Sequence, residues 1–173
     1  EFAPARERLE HAIAVLDREE GPQSLTAADA REPLMELLFG AEGPQGTLAV
    51  VERRLATYRA VLGERDVRTA LSLSDLGVVL NELERSQEAE KAYRASAAIL
   101  DALLPASDPR VAYPHGNLAG LLRETGRLAE AEVEARKALS IRRKALGERH
   151  AETANTIGQL SRILLELGRL PEA

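Results

Sequence analysis

LPASDPRVAYPHGNLAGLLRETGRLAEA, residues 104–131, reads as a turn, a helix with an apolar stripe, a Gly-Arg turn and the start of a second helix. Its features recur 42 residues earlier and 42 residues later. The turns Gly63-Glu64-Arg65-Asp66, Pro105-Ala106-Ser107-Asp108 and Gly147-Glu148-Arg149-His150 align, each preceded by Leu62, Leu104 or Leu146. Ala70, Ala112 and Ala154 follow at a fixed distance. Leu76, Leu118 and Leu160 then precede Leu80, Leu122 and Leu164 by four positions, so both rows share one helical face. Arg85, Arg127 and Arg169 come next, followed by Glu88, Glu130, Glu172 and by Ala89, Ala131, Ala173. A fixed period of this length denotes stacked units, none of which can bury its apolar face alone.

The register extends backwards more faintly. Gly21, Ala28, Leu34 and Leu38 fall three periods before Gly147, Ala154, Leu160 and Leu164. Ala5, Ala12 and Val15 likewise match Ala131, Ala138 and Ile141. The reading is half a repeat, three full repeats and half a repeat. It predicts helices over 4–20, 25–39, 47–62, 66–83, 87–104, 109–125, 129–146 and 151–167, with a truncated helix from about 170. The fold class is therefore all-α, a solenoid of antiparallel helix hairpins. Residues 1–2 read as a cloning remnant, 3–61 as degenerate helices of the same type, and 62–173 as three units with the last truncated, in one continuous solenoid. Because the chain lacks an initiator Met and stops where the period starts a helix, a longer native protein is expected.

Local chemistry supports these elements. Gly126 and Gly168 sit where a helix ends in a left-handed residue. Asp66 and Asp108 occupy N-cap positions, with Pro109 at the first helical position. Gly77, Ala119 and Ser161 on first helices, and Ala89, Ala131 and Ala173 on second helices, mark close crossings that a larger side chain would push apart. Three departures carry expectations of their own. Glu84 stands in place of the turn glycine, which predicts a looser or differently shaped turn. Pro33 and Pro114 each predict a lost backbone hydrogen bond and a kink. Gly40-Ala41-Glu42-Gly43-Pro44-Gln45-Gly46 reads as the longest irregular stretch.

Composition bounds the function. With 45% hydrophobic and 29% charged residues, a packed core is expected and disorder is not. Aromatics are 3% and Trp is absent, so Leu, Ala, Val and Ile must build that core. A formal charge of -5 argues against a nucleic-acid surface. The lack of Cys removes disulfides and Cys-based zinc sites. No run of 18 apolar residues exists to span a membrane, and a cytoplasmic location is expected. Arg outnumbers Lys, which suggests a GC-rich coding genome and a bacterial source.

These residues resemble the tetratricopeptide repeat, in the lengthened form of kinesin light chain, nephrocystin-like and many bacterial signalling proteins. The matching positions are Leu104, Asp108, Pro109, Ala112, Asn117-Leu118-Ala119, Leu121-Leu122, Gly126-Arg127, Glu130-Ala131-Glu132, Ala138-Leu139 and Ile141. The match is strong over 62–173 and weak over 5–61. The resemblance implies a right-handed superhelix of helix hairpins whose first helices line a concave groove that holds a partner peptide. The expected function is a protein- or peptide-binding scaffold. The alternative is a sensory or autoinhibitory module of a larger signalling protein such as a kinase, ATPase or transcription regulator.

The resemblance places polar hooks at Asp75, Asn117 and Gln159; the side-chain amides of Asn117 and Gln159 offer both a donor and an acceptor to an extended peptide. One turn earlier lie Leu71, Tyr113 and Asn155; one turn later lie Val79, Leu121 and Ile163. Leu71, Tyr113, Val79, Leu121 and Ile163 would form an apolar floor. Glu82, Glu124 and Glu166 would form an acidic edge. Two readings of that edge stay open: a preference for a basic partner, or a good helix former repeated with the unit. Tyr113, Pro114, His115 and Asn117 depart from the neighbouring repeats within five positions, so a specific site is expected to centre there.

No catalytic, cofactor or metal site is expected. His11, His115 and His150 lack metal-ligand spacing and read as structural, with His115 half-buried and able to titrate near neutrality. Gly116-Asn117-Leu118-Ala119-Gly120 lies within a helix and lacks the Lys of a phosphate loop. Arg85, Arg127 and Arg169 read as caps or as partners of Glu88, Glu130 and Glu172. The partner is a protein or peptide, neither nucleic acid nor membrane, and end-to-end self-association through truncated repeats stays open.

Overall fold

The computed structural model describes residues 2–169. Glu1, the helix expected from about 170, and Glu172 and Ala173 of the repeat rows lie outside the described residues. Seven α-helices follow in order: α1 (Phe2–Glu19), α2 (Leu25–Leu62), α3 (Val67–Glu82), α4 (Ser86–Leu103), α5 (Ala112–Glu124), α6 (Leu128–Leu146) and α7 (Ala151–Glu166). A 3-10 turn at Pro109–Val111 precedes α5. Among the described residues there is no strand. The chain divides into two compact units, Glu1–Ala89 and Glu90–Ala173.

In the first unit α1 packs on α2, and α2 on α3. Ser24 Oγ accepts from Ala27 N at 2.9 Å to start α2, and Asp66 Oδ1 accepts from Arg68 N at 2.8 Å to start α3. α2 comprises two limbs hinged at Gly43, whose φ of 73° and ψ of -166° suit glycine alone. The stretch expected to be irregular over 40–46 is thus helical apart from that one residue. Pro44 opens the second limb, where a missing N–H costs nothing, and Thr47 Oγ1 donates to Gly43 O at 3.0 Å. Pro33 lies inside the first limb of α2, and the torsions stay helical through it. Ile13, Leu34 and Leu38 form one buried cluster and Met35, Val51 and Val79 another. Phe2 packs against the first of these.

In the second unit α6 packs on both α5 and α7. Ala119, Ala131, Ala135 and Ala138 are fully buried, and such small side chains let helices approach closely around Leu118, Leu122 and Leu164. Asp108 Oδ1 accepts from Arg110 N at 3.0 Å, and His150 Nδ1 fills the same slot by accepting from Glu152 N at 3.2 Å. Pro114 is the third residue of α5, because the 3-10 turn takes the preceding positions. A first-turn N–H has no intrahelical acceptor, so the expected kink does not follow.

The turn at Glu84 is not looser than the others. Glu84 adopts φ 60°, and its N–H reaches Asn81 O at 2.9 Å while Arg85 N reaches Leu80 O at 2.9 Å. Gly126 and Arg127 make the same pair of bonds at 3.0 and 2.8 Å, and Gly168 and Arg169 at 3.0 and 2.9 Å. Two hydrogen bonds hold a side-chain-bearing residue in the glycine conformation.

Candidate peptide-binding face

The twelve candidate residues lie on three helices. Leu71, Asp75, Val79 and Glu82 are on α3; Tyr113, Asn117, Leu121 and Glu124 are on α5; Asn155, Gln159, Ile163 and Glu166 are on α7. Three of the four rows have a shared environment. Asp75, Asn117 and Gln159 are half-buried, and Glu82, Glu124 and Glu166 are exposed. Val79, Leu121 and Ile163 are only 2%, 2% and 0% exposed, so they belong to the core and present no surface. Leu71 and Tyr113 are half-buried and Asn155 is exposed.

In the first unit Asp75 is engaged. Arg54, from the second limb of α2, places Nη1 3.0 Å from Asp75 Oδ2 and Nη2 3.2 Å from Glu32 Oε2. Its Nε donates to the Tyr58 hydroxyl at 3.4 Å, and that hydroxyl donates to Asp29 Oδ1 at 2.5 Å. Burial favours the neutral guanidine, but Tyr58, Asp75 and Glu32 outweigh it and hold the Arg54 pKa above its ordinary value. Arg68 lies 5.6 Å from the Tyr58 ring centroid. Sequence reasoning missed Arg54 because the period has Ser96 and Ala138 at its equivalents. That interruption was the available signal.

In the second unit α5 and α7 bring their candidates together. Gln159 Nε2 donates to Gly116 O at 2.8 Å, so this hook is spent on the neighbouring helix. Arg123 Nη1 lies 3.0 Å from Glu166 Oε1, which neutralises part of the acidic edge. Asn117 differs: its Nδ2 is buried and has no hydrogen-bond partner among the described residues. A buried unpaired amide costs about 1–3 kcal/mol.

His115 is more deeply buried than expected, at 4% exposure. Nδ1 lies 2.6 Å from Glu134 Oε2 on α6, and Nε2 lies 3.3 Å from Asp101 Oδ1 on α4. Lys137 Nζ meets the other Asp101 oxygen at 2.6 Å. Burial raises the Asp101 pKa, but Lys137 and His115 outweigh it and leave the carboxyl below its usual range. The arginine ladder pairs as expected at Arg85–Glu88 and Arg127–Glu130; Arg169 lies 2.7 Å from Glu132, and its expected partner Glu172 is outside the described residues. Among the described residues, no group of three or more His, Cys, Asp or Glu could hold a metal ion, and no helix is long and apolar enough to cross a membrane.

Two family models, each described as tetratricopeptide repeat, match residues 69–109 and 110–173. The chain is a tetratricopeptide-repeat protein. No curated protein sequence matches it. Among solved structures it is similar to BtubC (BKLC) from P. vanneervenii, with a TM-score of 0.87 at 19% identity over 99% of this chain and 68% of that one. It is also similar to a candidate kinesin light chain from Podosopora anserina with nearly identical TPR-like repeats. Two crystal structures of that protein give TM-scores of 0.82 and 0.80, at 19% identity over 99% of this chain and 81% of theirs. At that identity the likeness speaks for fold alone: an α-solenoid of antiparallel helix hairpins. Tetratricopeptide repeats are a protein-interaction scaffold fold.

Proposed function

We propose that this tetratricopeptide-repeat protein binds a protein or peptide partner along its first-helix faces, with the α5/α7 face as the recognition centre. The supporting observation is the contrast within one row. Asp75 is held by Arg54 and Gln159 by the backbone of α5, while Asn117 Nδ2 has no hydrogen-bond partner among the described residues. With a small opening of the α5/α7 face a peptide carbonyl can accept from that nitrogen, and Tyr113 offers an amphipathic ring one turn away. Leu121 and Ile163 support the face from beneath, and Asn155 extends it. Because Arg123 offsets Glu166, the face selects for backbone and apolar complementarity more than for a basic charge.

Peptides selected by phage display against the chain test this reading. Selected peptides should shift the amide resonances of α5 and α7, and Asn117→Ala with Tyr113→Ala should weaken them at least about tenfold, the value of one lost hydrogen bond plus ring contacts. Peptides that bind the double variant unchanged would place recognition elsewhere.

A further inference from the structure

α1 and the two limbs of α2 flank a solvent-open cavity of about 290 Å³ within the first unit. Ile13, Leu34 and Val50 give it an apolar lining. Its wall also holds an ion pair that the repeat pattern does not call for: Arg31 Nη2 lies 2.6 Å from Asp17 Oδ2, with Arg31 only 4% exposed. The pair is incompletely satisfied. Arg31 Nη1, a donor, and Asp17 Oδ1, an acceptor, are both buried without a hydrogen-bond partner. Native structures leave few such atoms, and two on one ion pair mark a place to ask what completes them.

We propose that this cavity binds a small apolar molecule carrying a neutral carboxamide. The amide carbonyl accepts from Arg31 Nη1 and the amide N–H donates to Asp17 Oδ1, so one planar group answers both atoms. Charged and purely apolar classes fail on at least one side. A carboxylate meets the Asp17 charge, an ammonium meets the Arg31 charge, and a hydrocarbon leaves both atoms unpaired. Glu10 and Arg53 at the rim carry opposite charges and add no net preference for an ion. The two wall atoms are closed to solvent, so the ligand reaches them through a small outward movement of α1. That helix is held lightly, since Ile13 is its one buried residue among those described. The site uses α1 and α2 and needs none of the α5/α7 residues, so it stands or falls independently of the peptide reading.

The test titrates the full chain with benzamide, benzoate, benzylamine and toluene while following amide resonances. Benzamide should give saturable shifts in α1 and around Leu34 and Val50, with an affinity at least about tenfold above each comparator, the worth of one matched hydrogen bond. Ala49 is an exposed residue lining the cavity, and Ala49→Leu fills the space without touching the ion pair. This variant should lose the benzamide shifts and keep the helical circular dichroism of the parent. Three results would overturn the proposal: no saturable shift by about 50 mM benzamide, a concentration within reach of a ligand this small; toluene or benzoate binding as tightly; or shifts that persist in Ala49→Leu.

Discussion

Glu84 holds the left-handed backbone conformation that Gly126 holds one period later, at φ 60° against 76°. Its Cβ crowds the chain there, at a cost of about 1–2 kcal/mol for an L-residue. Glycine removes that strain but adds freedom to the unfolded chain, which returns part of the gain. Glu84→Gly should therefore stabilise the protein by about 1 kcal/mol. Urea unfolding would show it as a higher midpoint at unchanged slope.

Buried Arg54 ties together three acidic or phenolic partners from α2 and α3. Arg54→Met keeps the apolar stem but removes the charged donor that Asp75 and Tyr58 share. A loss of about 3 kcal/mol is expected, as for other buried pairs cut on one side. Arg54→Lys should recover only part of it, because a point charge cannot span Tyr58, Asp75 and Glu32 at once. Equal stability of Arg54→Met and the parent in urea would remove the centre's structural importance.

The helices were legible because the 42-residue period repeats the same turn leucines, N-cap acids and small crossing residues. What escaped the sequence follows from physics the period does not carry. Gly43 and its neighbours show that Gly and Pro mark where a backbone bends, not over how many residues it does so. Glu84 shows that two turn hydrogen bonds can impose a glycine torsion on another residue. Pro114 was misread because a helix start lay three residues later than its N-cap implied. The candidate face was legible as rows, since three of the four rows each share one burial class. Which hooks are already spent was not legible, because Arg54 and Gly116 reach them from other helices.

Acid sensitivity follows from four carboxyl groups. Burial raises the Glu90 and Asp101 pKa values, but Arg127 and Arg94 for Glu90, and Lys137 and His115 for Asp101, bring both below the ordinary range. Arg110 lowers Asp108, and Arg127 lowers Glu130. A folded pKa below the unfolded value contributes stability that is present above the unfolded pKa and lost as pH falls through the folded one. With unfolded values of about 3.9 for Asp and 4.3 for Glu, these groups leave Tm flat from pH 7 to about 5 and lower it below about pH 4. Thermal melts across that range check the sign, and Lys137→Ala should shrink the acid-side fall by removing a group that lowers Asp101.

His115 occupies a register slot that holds Leu73 and Ile157 in the flanking repeats, yet it sits between Glu134 and Asp101. His115→Leu restores the apolar residue and abandons Glu134, whose side chain is 18% exposed. A loss of about 2 kcal/mol is expected from the stranded carboxylate. Asp101 keeps Lys137 and adds little to that loss. Adding Glu134→Leu removes the stranded charge, so the double variant should regain most of what the single one lost, as when a buried pair gives way to packed hydrophobic residues. A double-mutant cycle in urea measures the coupling directly. If the two losses simply add, the 2.6 Å contact contributes nothing to stability and His115 is held by packing alone.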